Sequence, residues 1–172
     1  GSLYVIDWHN ILIGHMQHNA RDPLRDHSKG RVYRVTYPSR PLVKPAKVAG
    51  ATVEELLDNL KLPEYRTRYR TRRELRGRKA SEVLPKVTKW VASLDKTDPR
   101  YEHHVLEALW VTWGLNKVDQ TLLKQMLKAK DYHARTAAVM VLRYTGHQVM
   151  DQANLLKQAA QDPHGRVRLA AI

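Results

Sequence analysis

The chain has 172 residues, 42% apolar and 27% charged, a balance expected of a sequence that folds around a core rather than staying disordered. It has no cysteine, which excludes disulfides, thiolate metal sites, covalent haem attachment and cysteine nucleophiles. No apolar run approaches the ~20 residues of a membrane span, no signal-peptide pattern opens the N-terminus, and the net charge of +13 points toward polyanionic partners.

In chain order, LYVID (Leu3–Asp7) and GRVYRVTY (Gly30–Tyr37) read as β-strands, with Arg31, Tyr33, Val35 and Tyr37 on one face and Val32, Arg34 and Thr36 on the other. A two-stranded unit is marginal by itself, so these strands call for more sheet. The segment between them holds His9, His15, His18, Asp22, Arg25, Asp26 and His27, with Asp7 at its border. Three readings stand for it, contact with a substrate among them. Another is a metal or cofactor contact, although no motif of recognised ligand spacing supports it. The third, favoured, is a salt-bridged network that stabilises the turns of a long loop. Residues 38–50 hold three prolines and a glycine and read as an extended linker.

Thr52 and Glu55 form a capping box that opens a helix through about Leu60. Beyond it the chain is repetitive. Glu64, Tyr65, Arg68 and Leu75 match Asp131, Tyr132, Arg135 and Leu142 at an offset of 67, and Arg168 follows Arg135 at 33. The stretch 100–114 fills the missing place, with Glu107-Ala108 near the Ala-Ala position. Second helices follow: Ser81 as a cap before Val83, Leu84, Val87, Val91 and Leu94; Asp119 before Leu122, Leu123, Met126 and Leu127; and 151–161 with Ala153, Leu155, Leu156 and Ala159. Pro85 falls in an expected first turn, where it is tolerated. Each helix has one apolar stripe, and a period near 33 with two helices per unit predicts stacked repeats.

The stretch 65–79 concentrates eight basic residues, and residues 63–94 carry ten basic and three acidic side chains, more than half the excess charge of the chain. At 100° per residue Arg66, Arg70 and Arg73 share one helix face, and Arg68, Arg72 and Arg76 another. Such a split favours docking onto carboxylates and carbonyls of a neighbouring domain, then a merely solvated face, over one continuous nucleic-acid-binding stripe. His103 and Glu107, four apart on one face, read as a hydrogen-bonded pair, with Trp110 packed between repeats. No phosphate loop or nucleophile–base motif is present.

The runs D-Y-x-x-R-x-A-A-x-x-x-L at 131–142 and R-V-R-L-A-A at 166–171 resemble HEAT-type repeats, a likeness covering roughly 60–172. It implies a mainly α fold, a HEAT-type helical solenoid (α-α superhelix) over 51–172, with Arg135 and Arg168 as an inter-repeat ladder. LYVIDWHN, IGHMQH, RDPLRDH and GRVYRVTYPSRPL together resemble the end of the β-propeller in the large PVC-type bacterial dehydrogenases described as membrane-bound, which are similar to quinoprotein glucose and sorbosone dehydrogenases. That resemblance implies that 1–37 is the remnant of a propeller blade and that the chain is a non-catalytic piece of a longer protein, cut mid-repeat. The parent would be periplasmic or membrane-associated, would use a quinone and a haem, and would have its other domains as partners. No cofactor is expected in this chain. Two rival expectations are a basic HEAT-like module that binds nucleic acid, and a share in an oxidoreductase site through the His-rich loop 9–27.

Overall fold

The computed structural model describes residues 2–7, 23, 28 and 30–172. The chain divides into two compact units, Gly1–Pro45 and Ala46–Ile172. It is mainly helical, with eight α-helices and one small antiparallel sheet among the described residues.

In the first unit β1 (Leu3–Asp7) pairs with β2 (Arg31–Val35), Leu3 opposite Val35 and Asp7 opposite Arg31. An Asp7–Arg31 ion pair at 3.7 Å closes one end, and Arg34 Nε donates to Ser2 Oγ at the other. Both faces lie open: Ile6 is 80% exposed on one and Leu3 64% on the other. The second strand was expected to reach Tyr37 and stops at Val35. Its partner begins at Leu3, and Pro38 has no N–H with which to extend a ladder. The chain turns instead, Arg40 N donating to Tyr37 O.

The second unit holds α1 (Val53–Asn59), α2 (Tyr65–Arg76), α3 (Ala80–Ala92), α4 (Tyr101–Gly114), α5 (Gln120–Met126), α6 (Tyr132–Tyr144), α7 (Gln152–Ala159) and α8 (Gly165–Ala170), with a 3₁₀ turn at Gly146–Gln148. Gly50, at φ 68°, supplies the left-handed turn into α1. The capping box then forms as the sequence requires: Glu55 N donates to Thr52 Oγ1 and Thr52 N to Glu55 Oε2. Asp119 and Asp131 cap α5 and α6 through their carboxylates. Ser81, in contrast, is not a cap. Helix α3 starts at Ala80, with Lys79 O accepting from Glu82 N and Val83 N, so Pro85 lies in the second turn. Helix α4 ends in a Schellman motif: Asn116 takes φ 55°, Asn116 N donates to Trp113 O and Lys117 N to Thr112 O.

Helices α2, α4, α6 and α8 pack each on the next in chain order. Helix α1 packs on α2 and α3, α3 on α4, α5 on α4 and α6, and α7 on α6. Counting from each helix start aligns the first row. The eleventh residue is Leu75 in α2, Val111 in α4 and Leu142 in α6, and all three are buried. The seventh is Thr71, Glu107 and Ala138, each with no exposed surface. One apolar cluster runs from Ala51 to Val149, centred on Leu56, Leu57, Leu109, Leu123 and Met126. A smaller one joins Val139 to Val167 and Ala170 beneath α8. Short helices such as α1 and α5, at seven residues each, are below the length at which helices persist in isolation, so this burial maintains them.

Candidate interaction surface

The fourth residue of three first-row helices is an arginine with one recurring task. Arg68 Nη1 donates to Leu62 O and Pro63 O, both at 2.7 Å. Arg135 Nη1 donates to Ala129 O and Lys130 O at 2.8 and 2.9 Å. Arg168 Nη1 donates to Asp162 O and Pro163 O at 2.9 and 3.0 Å. In each case the acceptors lie six and five residues back, so the guanidinium fastens the incoming loop to its own helix. The remaining donors of Arg135 form a bidentate pair with Asp162, Nε–Oδ2 2.7 Å and Nη2–Oδ1 3.0 Å, which ties α6 to the turn before α8. The hydrogen bond and charge of Arg135 hold the Asp162 carboxyl below its ordinary range.

In α4 the fourth residue is His104 instead. It is buried, its Nδ1 stands 3.9 Å from Asp98 Oδ2, and its Nε2 has no partner. Burial lowers its pKa, opposed by the charge of Asp98. The loop before α4 is held by other means: Arg100 N donates to Asp98 Oδ1, and Tyr101 N to Asp98 O.

The basic helix α2 divides its arginines between two tasks. Arg68 and Arg72 turn inward to Glu107, whose carboxylate sits at the α2–α4 contact where α6 has a methyl group. Arg68 Nε donates to Oε1 at 3.0 Å, and Arg72 donates to Oε2. His103 Nε2 reaches the same carboxylate at 3.4 Å. Burial pushes the Glu107 carboxyl up, but the hydrogen bonds from His103 and Arg72 and their charges outweigh it, so the group stays below the usual carboxylate range. Arg66, Arg70, Arg73 and Arg76 are exposed. Arg76 thus parts from Arg68 and Arg72, with which helical angles had grouped it. Four residues advance about 400°, so each i, i+4 step drifts ~40° around the helix.

Beside these exposed arginines lies an open groove of about 520 Å³, walled by Tyr65, Tyr69, Arg72, Arg73 and Arg76 of α2 and by Trp110, Trp113 and Gly114 of α4. Its aromatic rings carry guanidinium groups already. Arg72 Cζ lies 4.9 Å from the Trp110 ring centre, Arg73 5.9 Å from Tyr69 and Arg68 6.0 Å from Tyr65. The Tyr65 and Tyr69 rings stack at 6.3 Å.

Of the His-rich segment, Asp7 is seen at the end of β1, while His9, His15, His18, Asp22, Arg25, Asp26 and His27 lie outside the described residues. Among the described residues no three His, Asp or Glu side chains converge to hold a metal ion, and no helix is long and apolar enough to cross a membrane. Sequence reasoning paired Glu107 with His103 and missed Arg68 and Arg72, which are 39 and 35 residues away. A lone acid at the seventh helical position, where its counterparts are Thr71 and Ala138, was the available signal.

Comparison with protein-family models, with curated proteins and with solved structures finds no significant match.

Proposed function

We propose that residues 46–172 act as a non-catalytic interaction scaffold of HEAT-type helical repeats, joined through the Pro-rich stretch to the edge of a propeller-like domain in a longer dehydrogenase-like protein. One observation carries the solenoid part: the fourth-residue arginine of α2, α6 and α8 makes the same two carbonyl contacts each time, on helices that pack in chain order. Such a register is what a stacked array needs, because each unit buries its stripe only against its neighbours. The open faces of the β1–β2 ribbon support the propeller part, since paired strands with both apolar faces exposed call for further sheet. Chemical crosslinking of the intact parent protein tests the reading. Crosslinks from residues 60–172 to other domains or partners are expected, and their absence refutes it.

A basic module for nucleic acid is the second reading, favoured by the four exposed arginines of α2. It requires duplex DNA binding with a steep salt dependence that is lost on reversing Arg66, Arg70 and Arg73. A share in a quinone- or haem-dependent oxidoreductase site would rest on the loop 9–27 and predicts cofactor binding that disappears when His9, His15 and His18 are replaced.

A further inference from the structure

We propose that the groove between α2 and α4 binds an acidic peptide segment of a partner protein, its carboxylates held by Arg73 and Arg76 with Arg66 and Arg70 beside them. The proposal rests on the interaction-scaffold reading and names the chemistry of the partner.

Charge complementarity selects an anion. Among the described residues Arg66, Arg70, Arg73 and Arg76 have no carboxylate partner, while the nearby acids are engaged: Glu107 by Arg68 and Arg72, and Glu74 by Arg78 at 2.7 Å. The residues of this chain preceding the helical unit offer no complement. Positions 1–45 carry seven basic side chains against three acidic ones. A segment of a partner protein is the occupant that this charge balance fits.

The aromatic wall separates a carboxylate ligand from a nucleobase. Base recognition in a groove uses open ring faces. Here Trp110, Tyr65 and Tyr69 each have an arginine of this chain over the ring. Of these three arginines Arg68 and Arg72 are engaged by Glu107, while Arg73, stacked on Tyr69, has no carboxylate partner among the described residues and can donate to a ligand carboxylate. The basic surface is also short. From Arg66 to Arg76 the helix rises ~15 Å, the reach of about five extended peptide residues. Residues 95–172 add little net charge, with eleven basic and eight acidic side chains, and the opposite wall of the groove is the indole pair Trp110 and Trp113. A duplex would meet few phosphates here. A short acidic stretch with interspersed apolar side chains meets both walls, carboxylates on α2 and aliphatic groups on the indoles.

Fluorescence anisotropy with the full chain tests the proposal, using a labelled peptide of alternating glutamate and leucine, its glutamine counterpart, and single-stranded and duplex oligonucleotides of matching charge. The acidic peptide is expected to bind, to weaken as salt is raised, and to bind at least about tenfold more tightly than the glutamine peptide or either oligonucleotide. The double variant R73E/R76E should lower its affinity at least about tenfold, and R73Q/R76Q should lower it less. Both side chains are exposed and make no ion pair, but Arg73 stacks on Tyr69 and both lie in the last turn of α2, so R73E/R76E should lower the thermal midpoint slightly and R73Q/R76Q less, and affinities are compared where every variant is folded. Equal binding of the two peptides, indifference to R73E/R76E, tighter binding of an oligonucleotide, or no peptide binding at all would overturn it. Photo-crosslinks from the intact parent, which do not need the lysine that α2 lacks, would overturn the groove while leaving the scaffold reading in place if they map to α3, α5 or α7 and avoid α2.

Discussion

Glu107→Gln is the most informative single change in the helical unit. The native carboxylate is fully buried and receives Arg68 Nε and a second donor from Arg72, with His103 close by. Hydrogen bonds to a charged group contribute about 1.5–3 kcal/mol each. Glutamine retains one acceptor oxygen but turns an NH2 group toward the other guanidinium, so one bond is lost and a donor meets a donor. Removing one partner from a fully buried ion pair costs about 3–5 kcal/mol. The arginine side chains here keep 14% and 19% of their surface, so some water can solvate them, and the expected loss is about 3 kcal/mol. Urea denaturation at neutral pH should show a lower midpoint with an unchanged slope, and the thermal midpoint should fall by about 10 °C. The pH dependence gives a second readout. The folded carboxyl titrates below its ordinary 4.5, so its contribution is present above that pH and is lost as pH falls through the unfolded value toward the lower folded one. Glu107→Gln should flatten this acid limb. A loss below about 0.5 kcal/mol, the scale of a surface pair, would refute the reasoning, as would additivity with Arg72→Met in a double-mutant cycle.

Three further predictions follow from the same geometry. The pKa of His104 lies below 6.5 because burial disfavours its charged form, so the unfolded chain binds the proton first, and stability should fall as pH drops below about 6.5. His104→Leu should flatten that part of a urea-midpoint profile, and an unchanged slope would count against it. Arg135→Lys retains the charge but loses the fork that spans Asp162 and two carbonyls, and should cost about 2 kcal/mol by thermal denaturation; a neutral result would mean the contacts to Asp162 contribute nothing. Thr52→Ala removes half of the capping box and should cost about 1 kcal/mol, with amide exchange in α1 accelerated beyond that in α4.

What the sequence disclosed was local. Thr52 with Glu55, and the aspartates at 119 and 131, announce helix starts because a cap is written within four residues. Helix α3 carries no such mark. Its start at Ala80 is set by the burial of Val83 and Val87, and the hydroxyl of Ser81 was a false lead. The repeat was legible at an offset of 67 because Leu75 and Leu142 fill equivalent buried sites. It blurred in α4, whose start is displaced from the even spacing, so Glu107 was set beside the alanine pair without its partners. Arg68 and Arg72 look like surface charge in any window of residues near them. Only packing of α2 on α4 reveals that their anion lies in the next helix. The exposed arginines could be counted in the sequence, but the groove beside them needs Trp110 and Trp113 to arrive from α4.

The loop fastenings of Arg68, Arg135 and Arg168 all end on main-chain oxygens, and a main-chain oxygen belongs to every residue type. The dipeptides that supply them, Leu62-Pro63, Ala129-Lys130 and Asp162-Pro163, accordingly have no residue common to all three, although two end in proline. Such a joint asks for one specific side chain and makes its grip through atoms common to every residue, so the connectors can diverge in spelling while each helix start stays fastened.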